Sequence, residues 1–265
     1  MNKSKPFAKK SFGQNFLVDE NYINKIISAV NPQQNETIIE IGAGRGALTE
    51  KLVESSANII AIELEREMIS VLKEKFGKHQ NISLIESDAL RVDFENFIND
   101  KSQKIKVVAN LPYNVATAIL QKLIEQRSVF SEMILMFQRE VVDRITAKVA
   151  TSERGFLSVL SQNYLEPEKL FDVPPTAFRP SPKVWSAVVK LIPKTQPIEN
   201  EKLFREIIAV GFAQRRKTIF NNLKIKFSDA ARILDECEID SKRRAETLTV
   251  EEWRKICEKS RAPIN

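Results

Sequence analysis

The segment Glu40-Ile41-Gly42-Ala43-Gly44-Arg45-Gly46-Ala47-Leu48-Thr49 constrains the fold more than any other stretch of the chain. It follows the β-branched run Thr37–Ile41 and opens a helical pattern, so a strand, a glycine turn and a helix come in that order. Glycines at such a turn allow a sharp reversal and let a ligand approach the backbone closely. Glu63 lies 21 residues beyond Gly42, at the end of the next apolar run. A carboxylate there can accept hydrogen bonds from both ribose hydroxyls of an adenosine ligand. The spacing G-x-G-x-G is tighter than the dinucleotide spacing G-x-G-x-x-G. It suits a smaller nucleoside cofactor and disfavours a nicotinamide dehydrogenase.

Further along, short β-branched runs alternate with helical patterns. Strands are expected at Thr37–Ile41, Asn58–Ile62, Ile82–Ile85, Lys106–Ala109 and Met133–Phe137. Helices are expected at Ala47–Glu54, Glu67–Phe76, Thr117–Gln126 and Arg139–Val149. Such alternation predicts a parallel sheet covered on both faces. Leu170–Val173 and Ala187–Leu191 are candidates for a closing antiparallel pair, and Pro193 to Pro197 reads as a linker. Helical patterns follow at Glu201–Gly211, Arg215–Phe227, Ala230–Cys237 and Val250–Lys259. The expected organisation is a doubly wound α/β domain over residues 1–193 and a small all-helical domain over residues 194–265.

The 265 residues carry a net charge of +6. Residues 178–265 hold 19 of the 41 Lys/Arg but 12 of the 35 Asp/Glu, so the excess sits in the last third. A second cluster lies at Lys3, Lys5, Lys9 and Lys10. A polyanionic partner is the natural reading, with a merely basic, solubilising surface as the bland alternative. Two cysteines and one histidine form no metal-ligand spacing and no disulfide framework, so no metal is expected. No apolar run approaches a membrane span, and the basic N-terminus lacks the apolar stretch of a secretory signal. A cytoplasmic, monomeric protein without membrane contact is expected.

Asn110-Leu111-Pro112-Tyr113 follows the fourth strand, and its residue types match one chemical problem. The exocyclic nitrogen of adenine is a poor nucleophile because its lone pair is delocalised into the ring. Two fixed acceptors, the Asn110 side-chain oxygen and the Leu111 carbonyl, can hold both N–H bonds and favour a pyramidal nitrogen. Pro112 stiffens the turn, and Tyr113 offers a face on which an extruded base can stack. A methyl group on a sulfonium donor is then within reach, without a metal or strong base. Asp88, after the third strand, can accept a hydrogen bond from an adenine amino group of the cofactor or simply cap a helix.

With these motifs in order, the chain resembles the small-subunit ribosomal RNA adenine dimethyltransferase family, the KsgA/RsmA group, nearly end to end. Lys9-Lys10-Ser11-Phe12-Gly13-Gln14-Asn15-Phe16-Leu17 is similar to the family's N-terminal signature. The resemblance implies a Rossmann-like class I methyltransferase domain that binds S-adenosyl-L-methionine. It implies cofactor contacts from Asn15, Leu17, Gly42, Glu63, Asp88 and Asn110, to which the glycine turn adds Gly44 and Gly46. The block from Phe178 to Val184 resembles the family's F-x-P-x-P-K-V. Phe178 is a candidate second aromatic against the flipped base, or a core residue. Phe212, Arg215-Arg216-Lys217 and Asn221-Asn222-Leu223 match the helical-domain pattern, and with Lys9 and Lys10 these cations are the candidate RNA contacts. Two positions depart from the family: Ala43 replaces a common proline in the glycine turn, and Trp185, after the proline block, stands where the family often carries an acidic residue. The implied substrate is 16S rRNA in an immature small subunit, at two adjacent adenosines near its 3′ end. The alternatives are a 23S rRNA adenine methyltransferase of the erythromycin-resistance type and a non-catalytic assembly factor.

Overall fold

The computed structural model of the chain describes residues 15–98, 103–196 and 198–260. Lys9 and Lys10 lie outside the described residues. The chain divides into two compact units, residues 1–142 with 168–193 and residues 143–167 with 194–265.

The first unit is built on a seven-stranded sheet, of which only the first three residues of β7 fall in the second unit. Its strands are β2 (Thr37–Ile41), β3 (Asn58–Glu63), β4 (Ile82–Glu86), β5 (Ile105–Asn110), β6 (Phe130–Gln138), β7 (Leu165–Val173) and β9 (Ser186–Pro193), in the order β4-β3-β2-β5-β6-β9-β7. The first five strands pair in parallel, and β9 runs antiparallel to β6 with Gln138 opposite Ser186. The central strands are nearly continuous in apolar residues because helices cover both faces. Ile38, Ile39 and Ile41 of β2 and Val107, Val108 and Ala109 of β5 are all buried. Helices α1 (Glu20–Val30), α2 (Ala47–Val53), α3 (Arg66–Phe76) and α4 (Ala116–Glu125) belong to this unit, and α5 (Arg139–Ile145) follows β6. A two-stranded ribbon pairs β1 (Phe16–Leu17) with β8 (Phe178–Arg179).

The strand order reverses between β2 and β5. From β2 the chain steps outward through β3 and β4; from β5 it steps the other way through β6. A crevice forms where such a sheet changes direction, beyond the carboxyl ends of the strands on either side. Here those ends are Gly42 and Asn110, and a Cβ added to Gly42 would lie 3.9 Å from the Asn110 carbonyl oxygen.

The second unit contains α6 (Phe156–Tyr164), α7 (Glu201–Gly211), α8 (Ile219–Leu223), α9 (Ala230–Glu236) and α10 (Val250–Lys259). It takes in residues 143–167, so it is larger than the helical domain expected over 194–265. The reason is packing. The buried Arg154 donates from Nη1 to the Ala147 carbonyl (3.1 Å) and from Nη2 to the Leu248 carbonyl (3.2 Å). The Ala150 amide donates to the Glu246 carbonyl (2.8 Å), and the Tyr164 ring meets Phe204 edge-on at 6.2 Å.

The expected helix over Arg215–Phe227 is shorter, because Thr218 starts α8 by accepting from the Asn221 amide (3.2 Å). Arg215, Arg216 and Lys217 therefore stand exposed on the loop between α7 and α8, not on a helix face. The fully buried Asn222 holds that loop, donating to the carbonyls of Gly211 (2.7 Å) and Gln214 (3.2 Å) and accepting from the Gln214 amide (3.2 Å).

Candidate active site

A cavity of about 560 Å³ opens at the reversal point of the sheet, within the usual range for small-molecule sites. Three positive-φ glycines shape the turn after β2: Gly42 at 74°, Gly44 at 54° and Gly46 at 84°. Gly42 and Gly44 border the cavity, and a Cβ on Gly44 would come within 3.2 Å of the Phe16 ring. Gly46 does not border it. A Cβ there would meet Phe76 at 2.5 Å, so this glycine lets α2 pack on α3 instead of serving a ligand directly. That corrects the expectation of a cofactor contact at Gly46.

Glu63, at the end of β3, is buried at the cavity wall. Its Oε2 accepts from the Gly44 amide (2.8 Å) and its Oε1 from the Glu65 amide (2.9 Å). Each carboxylate oxygen has a second lone pair, so the anchored group can still receive two hydroxyl donors. Asp88, on the opposite side of β3, also borders the cavity; its Oδ1 accepts from the Leu90 amide (3.0 Å).

No sequence motif marks Leu64 and Leu90. Both reach the cavity with bare apolar side chains, Leu64 being 53% exposed. Beside Glu63 and Asp88 they offer apolar faces to a flat heterocycle. The signal that could have found them is a large apolar residue one or two positions after an acidic strand end.

Glu40, two residues before Gly42, is a further member of the site that the motif spacing leaves out. Its carboxyl is buried at the cavity and accepts from Thr49 Oγ1 at 2.6 Å. Burial, assisted by the nearby Glu63 charge and opposed by the Thr49 hydrogen bonds, pushes its pKa up to about 7.

At the end of β5, Asn110 donates from Nδ2 to the Asn15 carbonyl (3.2 Å). A carbonyl can only be met by a donor, which fixes the amide orientation and directs Oδ1 away from Asn15. Leu111 is held by its amide, which donates to the Met136 carbonyl (3.3 Å). Tyr113 is half-buried, and its hydroxyl shares a 2.7 Å hydrogen bond with Ser186 Oγ at the start of β9. Burial pushes the phenol pKa upward, against the opposing effect of that bond. Asn110, Leu111, Pro112 and Tyr113 all border the cavity, as do Asn15, just before β1, and Leu17 within it. One concave site thus gathers an acidic group fit for a ribose, apolar faces, and an acceptor pair beside an aromatic ring.

Phe178 is not brought to this site. Its ring is fully buried in the hydrophobic cluster with Leu17, Ala177 and Val188, opposite Leu17 in the β1–β8 ribbon. The second-aromatic expectation is corrected to core packing: a ring with no accessible face offers no platform to a base.

The family model described as Ribosomal RNA adenine dimethylase matches residues 7–261. The chain belongs to the ribosomal RNA adenine dimethylase family. It is 41% identical over 258 residues to the ribosomal RNA small subunit methyltransferase A of Geobacillus sp. (strain WCH70), spanning 92% of this chain and 89% of that protein. It is 39% identical over 255 residues to the protein of the same name from Hahella chejuensis (strain KCTC 2396), spanning 95% and 92%. Among solved structures, a dimethyladenosine transferase from Plasmodium falciparum superposes with a TM-score of 0.77 at 25% identity, over 91% of this chain and 95% of that one. The 23S rRNA methyltransferase ErmE superposes with a TM-score of 0.70 at 21% identity, over 92% and 99%, which shows the shared fold. As a family member the chain is an S-adenosylmethionine-dependent rRNA adenine dimethyltransferase, and the cavity fits that donor. A Cβ at Gly44 would press on the Phe16 ring at the cavity rim, and the backbone-anchored Glu63 carboxylate has acceptor capacity left for a ligand's hydroxyls.

Proposed function

We propose that the chain methylates the exocyclic amines of two adjacent adenosines in the 3′-terminal hairpin loop of 16S rRNA, within an immature small subunit and acting as a monomer. The observation that carries the chemistry is the orientation of Asn110: its Nδ2 is committed to the Asn15 carbonyl, so Oδ1 is the acceptor left to face a substrate amine. The small-subunit assignment is supported by relatives near 40% identity that carry that name. The large-subunit alternative rests on a fold likeness at 21% identity.

S-adenosylmethionine, when bound, supplies a methyl group on a sulfonium centre. Glu63 would hold its ribose, Gly42 and Gly44 would let it approach the backbone, and Asp88 would accept from the amino group of its adenine. Asn15, just before β1, and Leu17 within it would flank the donor. On the substrate side, Asn110 Oδ1 and the Leu111 carbonyl accept the two N–H bonds of the target amine and turn its lone pair toward the donor. Pro112 limits the freedom of that turn, and Tyr113 stacks on the extruded base. The helical unit, through Arg215, Arg216 and Lys217, holds RNA phosphates. Lys9 and Lys10 add to the same electrostatic attraction.

Asn110→Ala removes one of the two acceptors while leaving the RNA-binding cations intact. Methyl transfer to unmodified small subunits is expected to fall by about a hundredfold or more, with particle binding largely kept. Labelled transfer followed by mapping of the modified bases reads both the site and the rate. An unchanged rate in the variant removes Asn110 from the proposed role. Label appearing only in large subunits overturns the choice of substrate.

A further inference from the structure

We propose that Trp185 is a stacking platform for an RNA base that borders the adenosine entering the active site. The proposal rests on the reading of RNA as substrate. Trp185 is 44% exposed, which leaves part of a large aromatic ring open to a ligand. Its backbone is fixed: the carbonyl accepts from the Arg139 amide at 2.9 Å, one step past the Gln138–Ser186 pair. The Arg139 guanidinium carbon lies 5.7 Å from the ring centroid, within range of a cation–π contact. The guanidinium stands over the ring, and the residue keeps 44% of its surface exposed, area on which a base can stack.

Its position ties it to the reaction. The next residue, Ser186, is fully buried and hydrogen-bonded to the Tyr113 hydroxyl at 2.7 Å. Trp185 and the Asn110–Tyr113 segment thus stand on one edge of the sheet, separated by β6 alone. Two strand spacings amount to roughly 10 Å. A strand of RNA feeding one base into the cavity would carry a neighbouring base across this edge. Arg139, Arg179 and Lys183 supply exposed cations on the segments around Trp185, alongside the exposed Glu140. Cations so placed can meet the phosphates on either side of a stacked base.

The chain has two tryptophans, and the other, Trp253, is fully buried in the helical unit. On adding a single-stranded RNA oligonucleotide with two adjacent adenosines, the part of the fluorescence quenching that Trp185→Ala abolishes reports on Trp185, since Trp253 remains in that variant. The native protein is expected to be quenched, and Trp185→Ala to lose the quenching. In methyl transfer to unmodified small subunits, Trp185→Ala is expected to raise KM about tenfold or more while changing kcat far less. Trp185→Tyr, which keeps a stacking face, is expected to restore most of the KM. Unaltered S-adenosylmethionine affinity in both variants shows that the cofactor site is intact. An unchanged KM in Trp185→Ala with active native enzyme overturns the proposal and leaves the reaction standing. A raised KM without RNA quenching overturns it in favour of a protein contact. Failure of the native enzyme to methylate any ribosomal particle would instead strike the reading of RNA as substrate.

Discussion

Glu40 shows how one buried carboxyl couples the fold to its ligand. It sits at the cavity with its proton retained up to about pH 7, against an ordinary value of 4.5, chiefly because burial penalises the charge. The folded state binds this proton more tightly than the unfolded chain does. Stability from this group is therefore complete below 4.5 and is lost as pH rises toward 7. The shift corresponds to a contribution of about 3 kcal/mol. Urea unfolding of the native protein and Glu40→Gln across that window should show the native protein losing ground to the variant as pH rises. A difference that stays constant with pH would show that Glu40 does not hold the proton. A cationic donor in the cavity favours the ionised form, so donor affinity should rise with pH in the native protein and stay flatter in Glu40→Gln. Both effects depend on Thr49 and Glu63, which face the same carboxyl.

Among the elements, the glycine turn holds the most positional information. Gly46 has φ of 84°, and a Cβ there would meet Phe76 at 2.5 Å and Leu72 at 3.1 Å. Gly46→Ala is expected to destabilise the protein by roughly 2 kcal/mol or more, measured by urea unfolding. Gly155, with φ of −158° and nothing within 4 Å of an added Cβ, should accept alanine with little change. Equal losses at the two positions would refute the steric account. The turn and the five parallel strands were legible because β-branched runs ending in Gly, Glu, Asp or Asn have few other solutions. Helix α6 was not legible, because Ser158, Ser161 and Asn163 are buried along with its apolar residues and leave no polar face to set a period. The start of α8 depended on the Thr218 cap and the Asn222 clamp, contacts that periodicity does not encode. At the site, the acidic and Asn-Leu-Pro-Tyr positions could be read from their order along the chain. The placement of Phe178 could not, since an aromatic beside prolines serves a core or a cleft equally well. Leu64 and Leu90 became visible only once the sheet had brought their strand ends together.

At the scale of the whole molecule, the charge is distributed according to function. The chain carries +6, yet the excess lies in the last third, while the cavity is walled by Glu40, Glu63 and Asp88. Carboxylates suit a cationic donor and cations suit a polyanionic RNA, so this separation of charge is what the proposed pair of ligands calls for. Arg215, Arg216 and Lys217 concentrate the positive charge on one exposed loop, and Asn222 fixes that loop from beneath. Long-range attraction to RNA needs the charge, whereas its useful placement needs the clamp. Reversing the three cations to glutamates is expected to weaken affinity for small ribosomal subunits strongly at low salt and much less at high salt. The dependence of log affinity on log salt should flatten by roughly one unit for each phosphate that the loop no longer neutralises. Affinity measured by sedimentation over a salt series tests this, with donor binding by the same variant as the control for folding. An unchanged affinity at low salt would take the loop off the RNA surface and leave the attraction to the remaining cations of the chain.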